Sequence, residues 1–459
     1  VSMLGAIQLE NALAWSAGLV YVTYDTWLLS YVAWKTNGLG NEKPHHFESE
    51  FQSRNKQTIG VLVPVYNESN GIVKTIEYLL KQSQLPQKII IVNDGSTDNT
   101  LNKLSKYYGF KCSKGQAIAG ALSIHDSPKL YASEDLPNLY LFDKTNSGKA
   151  DSLNQVIHHI DCDVVVTVDA DTLLDRNAIY EAHNAFKQDP ALIAACGVLK
   201  PVTNGNVVSR LFGFFQYFEY LRAYLSRAAW SHSNALLLVS GAFSIYKKNA
   251  LVAVGGYDDT SLVEDYELIH RMHQFASENN LDWRIDVIEK ACATTDAPTT
   301  ISAFISQRKR WFTGFLRTQF KYRHMIGVAR YKNVGQFMLP IKTVDTLQPM
   351  FGLVALILLW HAVISGADIS VFILTVIGIK LIIDYCFHIW SLHKYHSWLG
   401  LSVPRNLWWK ATICCLTDPF VFQPLRHLSA LIGWMSIFKG NVSWEPVRIK
   451  QEAPIKINN

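Results

Sequence analysis

Several short stretches of this sequence place reactive side chains at spacings that chemistry can use. In "VVVTVDADT" (164–172), Asp169 and Asp171 end a strongly apolar run. Side chains at i and i+2 of an extended segment point the same way. Two carboxylates aimed at one point repel unless a cation lies between them, and hard oxygen donors suit Mg2+ or Mn2+ carrying phosphate. The bland alternative is a turn with two solvated aspartates. In "ISQRKRWFTG" (305–314), Gln307, Arg310 and Trp311 stand at i, i+3 and i+4. That spacing puts an amide, a guanidinium and an aromatic plate on one helix face. Such a face is a solvated surface, a lipid-headgroup anchor or half of an active site.

Weaker signals lie between these two. "NSGKADSLN" (146–154) opens a helix with Gly-Lys, and a helix N-terminus favours anions near Lys149. It is not a Walker loop, because the G-x-x-x-x-G-K spacing is absent. Asp94 in "NDGSTDNT" ends an apolar run, where it either holds a polar ligand or makes an Asp turn before a helix cap. In "GGYDDTSLVEDYELIHRMH" (255–273), Glu264 and Asp265 begin a helix. Acids there ordinarily satisfy the helix dipole. Beside a metal–phosphate site, one becomes a candidate general base.

The elements around these residues alternate. "IGVLVPVY" (59–66), "KIIIVND" (88–94), "LYLFD" (139–143), "DVVVTVD" (163–169) and "LIAACGVL" (192–199) read as buried, mostly parallel strands. Helical patterns cover 69–83, 98–108, 148–160 and 176–187, and 110–137 looks inserted. The fold class is α/β with a doubly wound, mostly parallel sheet, whose ligands bind beyond the C-terminal strand ends. The acids and Lys149 fall at that edge.

Composition places this domain beside a membrane. Of 459 residues, 49% are apolar and only 18% charged, which fits a soluble domain joined to a few membrane helices. Residues 12–34 are long enough to span, with Asp25 near the middle requiring a partner or a polar lining. Residues 349–365 and 369–391 are further candidates, the second carrying Lys380 and Asp384 four apart. Residues 406–438 read as a broken or re-entrant pair. The aromatic, amphipathic stretches 208–230 and 301–326 suit a membrane interface; for the first, packing on the sheet is an equal reading. Lys35, Lys43 and the basic tail put the soluble domain and the C-terminus on the cytoplasmic side of the plasma (inner) membrane. The expected units are a membrane helix (1–35), a linker (36–56), the α/β domain (57–330), C-terminal membrane and re-entrant helices (345–440) and a tail (441–459). The net charge of +5 comes without a basic arm, so nucleic acid is not an expected partner. The seven cysteines form no C-x-x-C pair, which suits a reducing compartment.

"VPVYNES", "NDGSTD", "GKADSLN", "DAD", "VED" and "QRKRW" occur in one order over roughly residues 56–325. Together they resemble the membrane-embedded family-2 inverting glycosyltransferases, which include synthases of cellulose, chitin, hyaluronan and poly-N-acetylglucosamine. The resemblance implies a GT-A-type fold and a UDP-sugar donor, UDP-N-acetylglucosamine first and UDP-glucose next. It implies that Val65, Glu68 and Asp94 hold the uridine and that Lys149 contacts the diphosphate. Asp169 and Asp171 would bind UDP through Mg2+ or Mn2+, and Asp265 would be the base. Arg310 would steady the leaving diphosphate, Gln307 would fix the acceptor terminus, and Trp311 would be the plate under the acceptor sugar. Further partners would be a glycan or glycolipid acceptor, the bilayer, and an accessory export subunit or a second copy of the chain. One departure is Val263 where the family usually has Thr before Glu-Asp. The resemblance favours a processive polysaccharide synthase. Single addition to a membrane lipid and a non-catalytic scaffold are the competing readings.

Overall fold

The computed structural model describes residues 3–39, 57–112, 128–203, 205–365 and 371–438. The linker beyond residue 39, the middle of the 110–137 insertion and the 441–459 tail lie outside these residues.

The apolar runs become the centre of one sheet. β1 (Ile59–Val65), β2 (Lys88–Asp94) and β6 (Val164–Val168) are buried along nearly their whole length, as strands covered on both faces must be. β5 (Leu139–Lys144) and β8 (Leu192–Val202) complete the expected set. The expected helices form as α2 (Ile72–Leu80), α3 (Thr100–Tyr108), α4 (Lys149–Ile157) and α5 (Ala178–Gln188). Five further strands lack a long apolar run or alternate weakly: β3 (Phe110–Cys112), β4 (Lys129–Ser133), β7 (Thr172–Leu174), β9 (Phe243–Lys247) and β10 (Arg284–Asp296).

The strand order is β3-β4-β5-β2-β1-β6-β9-β8-β10-β7. β5, β2, β1 and β6 run parallel, and so do β8 and β10. β9 runs antiparallel to both β6 and β8, and β3, β4 and β7 are antiparallel at the edges. The sheet is therefore mixed, which corrects the expectation of a mostly parallel one. The reason is β9, which inserts between β6 and β8 in the opposite direction. The chain leaves β1 toward β2 on one side, and β6 lies on the other. That is a switch point, and the crevice above it is framed by the ends of β1, β2 and β6.

Helices then join this sheet to the rest of the chain. α7 (Lys248–Ala253) and α8 (Glu264–Glu278) follow β9. α6 (Val207–Ser231) buries Phe218, Leu221, Tyr224 and Leu225, and packs on β8 and β10. Sheet packing is thus the reading that applies to 208–230. α9 (Ile301–Lys321) starts where the Thr300 hydroxyl accepts from the Ala303 N–H at 3.2 Å, a regular N-cap. It does not lie open at a surface, because α13 (Phe422–Phe438) packs along it. The closest approach is at Gly433, where an added Cβ would sit 2.8 Å from the Lys309 carbonyl oxygen. Thr313 Oγ1 donates to Gly433 O there at 2.8 Å.

The remaining helices are α1 (Met3–Thr36), α10 (Leu339–Ile364), α11 (Val371–Trp398) and α12 (Arg405–Thr417). α12 and α13 are the broken pair expected over 406–438, with Asp418 in the break. Among the described residues, two helical stretches are long and apolar enough to cross a membrane, Val334–His361 and Leu374–Trp398. The stretch expected at 12–34 is helical but is not one of those two. Asp25 does have the partners its position demands. Its carboxylate lies 2.8 Å from Lys380 Nζ and accepts from Gln348 Nε2 at 3.2 Å. Lys380 also pairs with Asp384 within α11.

Candidate active site

The first two motifs are laced together at the strand ends. Asn67, held at φ +55°, accepts from the N–H groups of Thr97 (2.8 Å) and Asp98 (3.2 Å). The Glu68 N–H donates to Thr100 Oγ1 at 2.9 Å. These bonds fix "VYNES" against "GSTDNT" and shape one wall of the crevice. Val65 is buried in β1, so only its main chain is available to a nucleotide.

Asp94 is placed differently from the expected uridine contact. Its carboxylate is buried and lies 2.7 Å from Lys144 Nζ. It also accepts from the N–H groups of Ser147 and Gly148, both at 2.9 Å. With both oxygens engaged by the chain, Asp94 holds the turn that begins α4. Gly148 in that turn sits at φ +96°, a conformation that favours glycine. The next residue is Lys149, the first of α4.

Lys149 lies between the end of β6 and the start of α8. Its Nζ lies 2.6 Å from Asp169 Oδ1, 3.5 Å from Glu264 Oε1 and 3.3 Å from the Gly241 carbonyl. Burial alone would lower its pKa, but Asp169, Glu264 and Asp265 outweigh that and hold it well above the usual lysine range. Asp265 accepts from the Gly241 N–H at 2.7 Å and from the Tyr266 N–H at 2.8 Å. Burial, followed by the charge of Glu264, raises its pKa above the ordinary aspartate value; Lys149 and the two N–H donors oppose this. A carboxyl so raised is a better proton acceptor than an exposed one.

Asp171 lies one residue before β7. Continuing the antiparallel register of β7 and β10 sets Asp296 opposite it. Burial and the charges of Asp169 and Asp296 push the Asp171 carboxyl up to about 7. This surplus of negative charge is what a divalent cation would relieve. Among the described residues, no group of three or more His, Cys, Asp or Glu is arranged to hold a metal alone. A cation here would therefore take further oxygens from a diphosphate, as Mg2+ commonly does.

α9 meets the loop before Asp265 directly. Arg310 Nη1 donates to the Leu262 carbonyl at 3.2 Å, three residues before Asp265. Trp311 packs in the cluster that contains Val263 and Tyr266. Gly314 permits the approach, since an added Cβ would lie 2.5 Å from Val263 Cγ2. Gln307 Oε1 is buried without a hydrogen-bond partner, an unmet acceptor on the same face.

A family model described as glycosyl transferase family group 2 matches residues 164–438, more than half of the chain, and one described as glycosyl transferase family 2 matches 60–122. The chain belongs to glycosyl transferase family group 2. Among its relatives is a poly-β-1,6-N-acetyl-D-glucosamine synthase of Staphylococcus epidermidis, 30% identical over 276 residues. That stretch covers 60% of this chain and 58% of the relative. The synthase of the same description from Staphylococcus aureus (strain MSSA476) is 28% identical, with 60% and 57% covered. The match thus spans a little over half the length of these relatives. A mannosyltransferase from Pyrobaculum calidifontis, solved with GDP-Man and Mn2+, aligns with a TM-score of 0.55 at 18% identity. It covers 89% of this chain and 99% of that one, which shows the shared GT-A-like fold.

In this family-2 glycosyltransferase, three positions near the site escape motif reading. Gly241 lets the two groups come close, because a Cβ would stand 3.1 Å from both Lys149 Nζ and Asp265 Oδ2 and push them aside. Asn154, the last residue of "GKADSLN", accepts from the Tyr257 N–H and donates to the Tyr257 carbonyl, at 2.8 and 2.7 Å. It thereby ties α4 to the Gly255–Gly256 turn before the base. Asp296 has only a cross-strand signal, invisible until the register is known.

Proposed function

We propose that this chain is a membrane-bound inverting glycosyltransferase that elongates a β-linked polysaccharide from a UDP-sugar. UDP-N-acetylglucosamine is the first choice of donor, in keeping with the staphylococcal relatives' names, and UDP-glucose the next. The observation that carries the reading is Asp265: a half-buried carboxylate of raised pKa at a helix start, fixed by Gly241 and bordered by Lys149 and the Q-x-x-R-W helix.

Asp265 takes the proton of the acceptor hydroxyl as its oxygen attacks the anomeric carbon. The bond from that carbon to the UDP oxygen breaks, and UDP leaves with the electron pair. Attack from the face opposite UDP inverts the anomeric centre, so an α-linked donor gives a β-linked product. Lys149 and Arg310 face the charge that develops on the diphosphate, and Trp311 and Gln307 hold the acceptor in line. Mg2+ or Mn2+, held by Asp171 and Asp169 with the diphosphate, would supply Lewis-acid stabilisation of the leaving group. Val65 and Glu68 line the nucleotide side, while Asp94 acts through the turn before Lys149.

α10 and α11 are the proposed spans. Supporting this, Val354, Ile357, Trp360, Ile379 and Ile382 stand exposed on them, a surface suited to lipid. The catalytic domain then faces the cytoplasm at the plasma membrane.

The test is UDP release from protein held in nanodiscs, with a panel of UDP-sugars and Mg2+ or Mn2+, followed by sizing of labelled product. Metal-dependent release from one donor with a long ladder supports the proposal. One sugar added to a lipid overturns elongation, and no release from any donor overturns the transferase reading.

A further inference from the structure

Three cations immediately follow Gln307 in α9, and two of them have opposite surroundings. Arg310 has no carboxylate partner among the described residues, and its Nη1 bonds only the Leu262 carbonyl. Arg308 is buried, and its Nη2 donates to Glu219 Oε2 at 2.5 Å. The Arg308 guanidinium lies 4.2 Å from the Trp311 ring centroid and 4.8 Å from that of Phe304. These rings stand at i+3 and i−4, so the guanidinium is clasped between them along one helix face.

Glu219 belongs to α6, which rests on the sheet. Its other oxygen lies 3.9 Å from Arg426 of α13. One turn on, Arg222 reaches Asp418 in the α12–α13 break at 3.8 Å. A buried guanidinium needs such a counter-charge, and without it Arg308 would leave the rings for water. The pair therefore fixes more than charge. A guanidinium held over the indole fills one of its faces, leaving the other face and the edge for a ligand.

We propose that Glu219 is a positioning residue for the acceptor platform: by pinning Arg308 against Trp311, it fixes the plane of the indole and the face an acceptor sugar can use. This rests on the function proposed above, in which Trp311 carries the acceptor. It also leaves Arg310, rather than Arg308, as the cation of this motif available to a diphosphate.

The experiment uses the full chain in nanodiscs, labelled with 5-fluorotryptophan, with the Trp311 fluorine line identified by its loss in Trp311→Phe. Arg308→Met removes the clasp while leaving Glu219 beside Arg426. Glu219→Gln takes the counter-charge from Arg308 while leaving its guanidinium in the chain, and Asp418 remains as an acid acting on Arg426. In both, the Trp311 line should shift or split. With UDP-N-acetylglucosamine and a short β-linked N-acetylglucosamine oligosaccharide, the acceptor KM should rise about tenfold while the donor KM moves less than about twofold. An unchanged fluorine line, or equal losses for donor and acceptor, would overturn the proposal. If the wild-type chain transfers no sugar from any donor, the function proposed above fails, and the fluorine line still decides whether Glu219 pins the indole.

Discussion

The proposed donor edge and the proposed acceptor helix are held by different means. On the donor side, hydrogen bonds between the loops at the strand ends do the holding: Asn67 with Thr97 and Asp98, and Asp94 with Ser147 and Gly148. The acceptor side depends on helices brought together from distant parts of the chain. Gly314 lets α9 touch Val263, Gly433 lets α13 touch α9, and Glu219 on α6 neutralises Arg308. A site built this way can lose its acceptor half without losing its donor half. Lys149 is where the two meet, bonded to Asp169 on one side and facing Glu264 on the other.

The sharpest way to break the comparison is Asp265→Asn. Transfer should fall by about 10³-fold or more, within the range of lost general-base catalysis, while UDP affinity by calorimetry stays within about threefold. Wild-type turnover in the purified variant would remove Asp265 from its role. Next is Trp311→Ala, which should weaken acceptor use by about 2 kcal/mol, near thirtyfold in acceptor KM, and leave the donor KM nearly unchanged. Parallel loss of both would mean that the two halves are not separable.

A pH profile sharpens the same point. Only deprotonated Asp265 accepts the acceptor's proton, and its folded pKa is raised by burial and Glu264. The rate at saturating donor should therefore fall, as pH drops, at a higher pH than an exposed aspartate would give. Donor binding through Asp171, raised to about 7, should weaken as pH falls below neutral, because the proton competes with the cation. Asp171→Asn should erase the binding limb and leave the rate limb.

The smallest expected effect is Gly314→Ala. Alanine favours the helix by about 1 kcal/mol, but its Cβ would lie within 2.5 Å of buried Val263. Overpacking of that kind costs about 1–3 kcal/mol, so a net drop of a few degrees in Tm is expected. Val263→Ala in the same chain should restore it.

The donor edge was largely legible in the sequence for the reason it is local. Asp94, Asp169 and Asp171 each end or directly follow a run of β-branched residues, and Lys149 follows a glycine at a helix start. The pattern fixed where these residues stand, though not that Asp94 pairs with Lys144. That depended on a lysine fifty positions away. The mixed sheet was not legible, because β9 is five residues long and its antiparallel direction cannot be read from its own composition. Nor was the cover over α9: the apolar stripe on 301–326 looks the same whether lipid or α13 lies against it. Gly241 and Gly314 carry meaning only once the partner across from them is known.

Asp25 bears on how the chain is made. Gln348, one of its partners, is 323 positions further along, and Lys380 is later still. At about 5–20 residues per second, the carboxylate waits tens of seconds for its counter-ion to be synthesised. α1 is therefore made well before the partners of Asp25, although α6, which stacks Trp230 on Tyr31 of α1, is already there before them. Ribosome-bound chains arrested before Lys380 should leave Asp25 open to carbodiimide labelling, while the finished chain protects it. Equal labelling of both would mean that the first helix reaches its resting place without the help of the last ones.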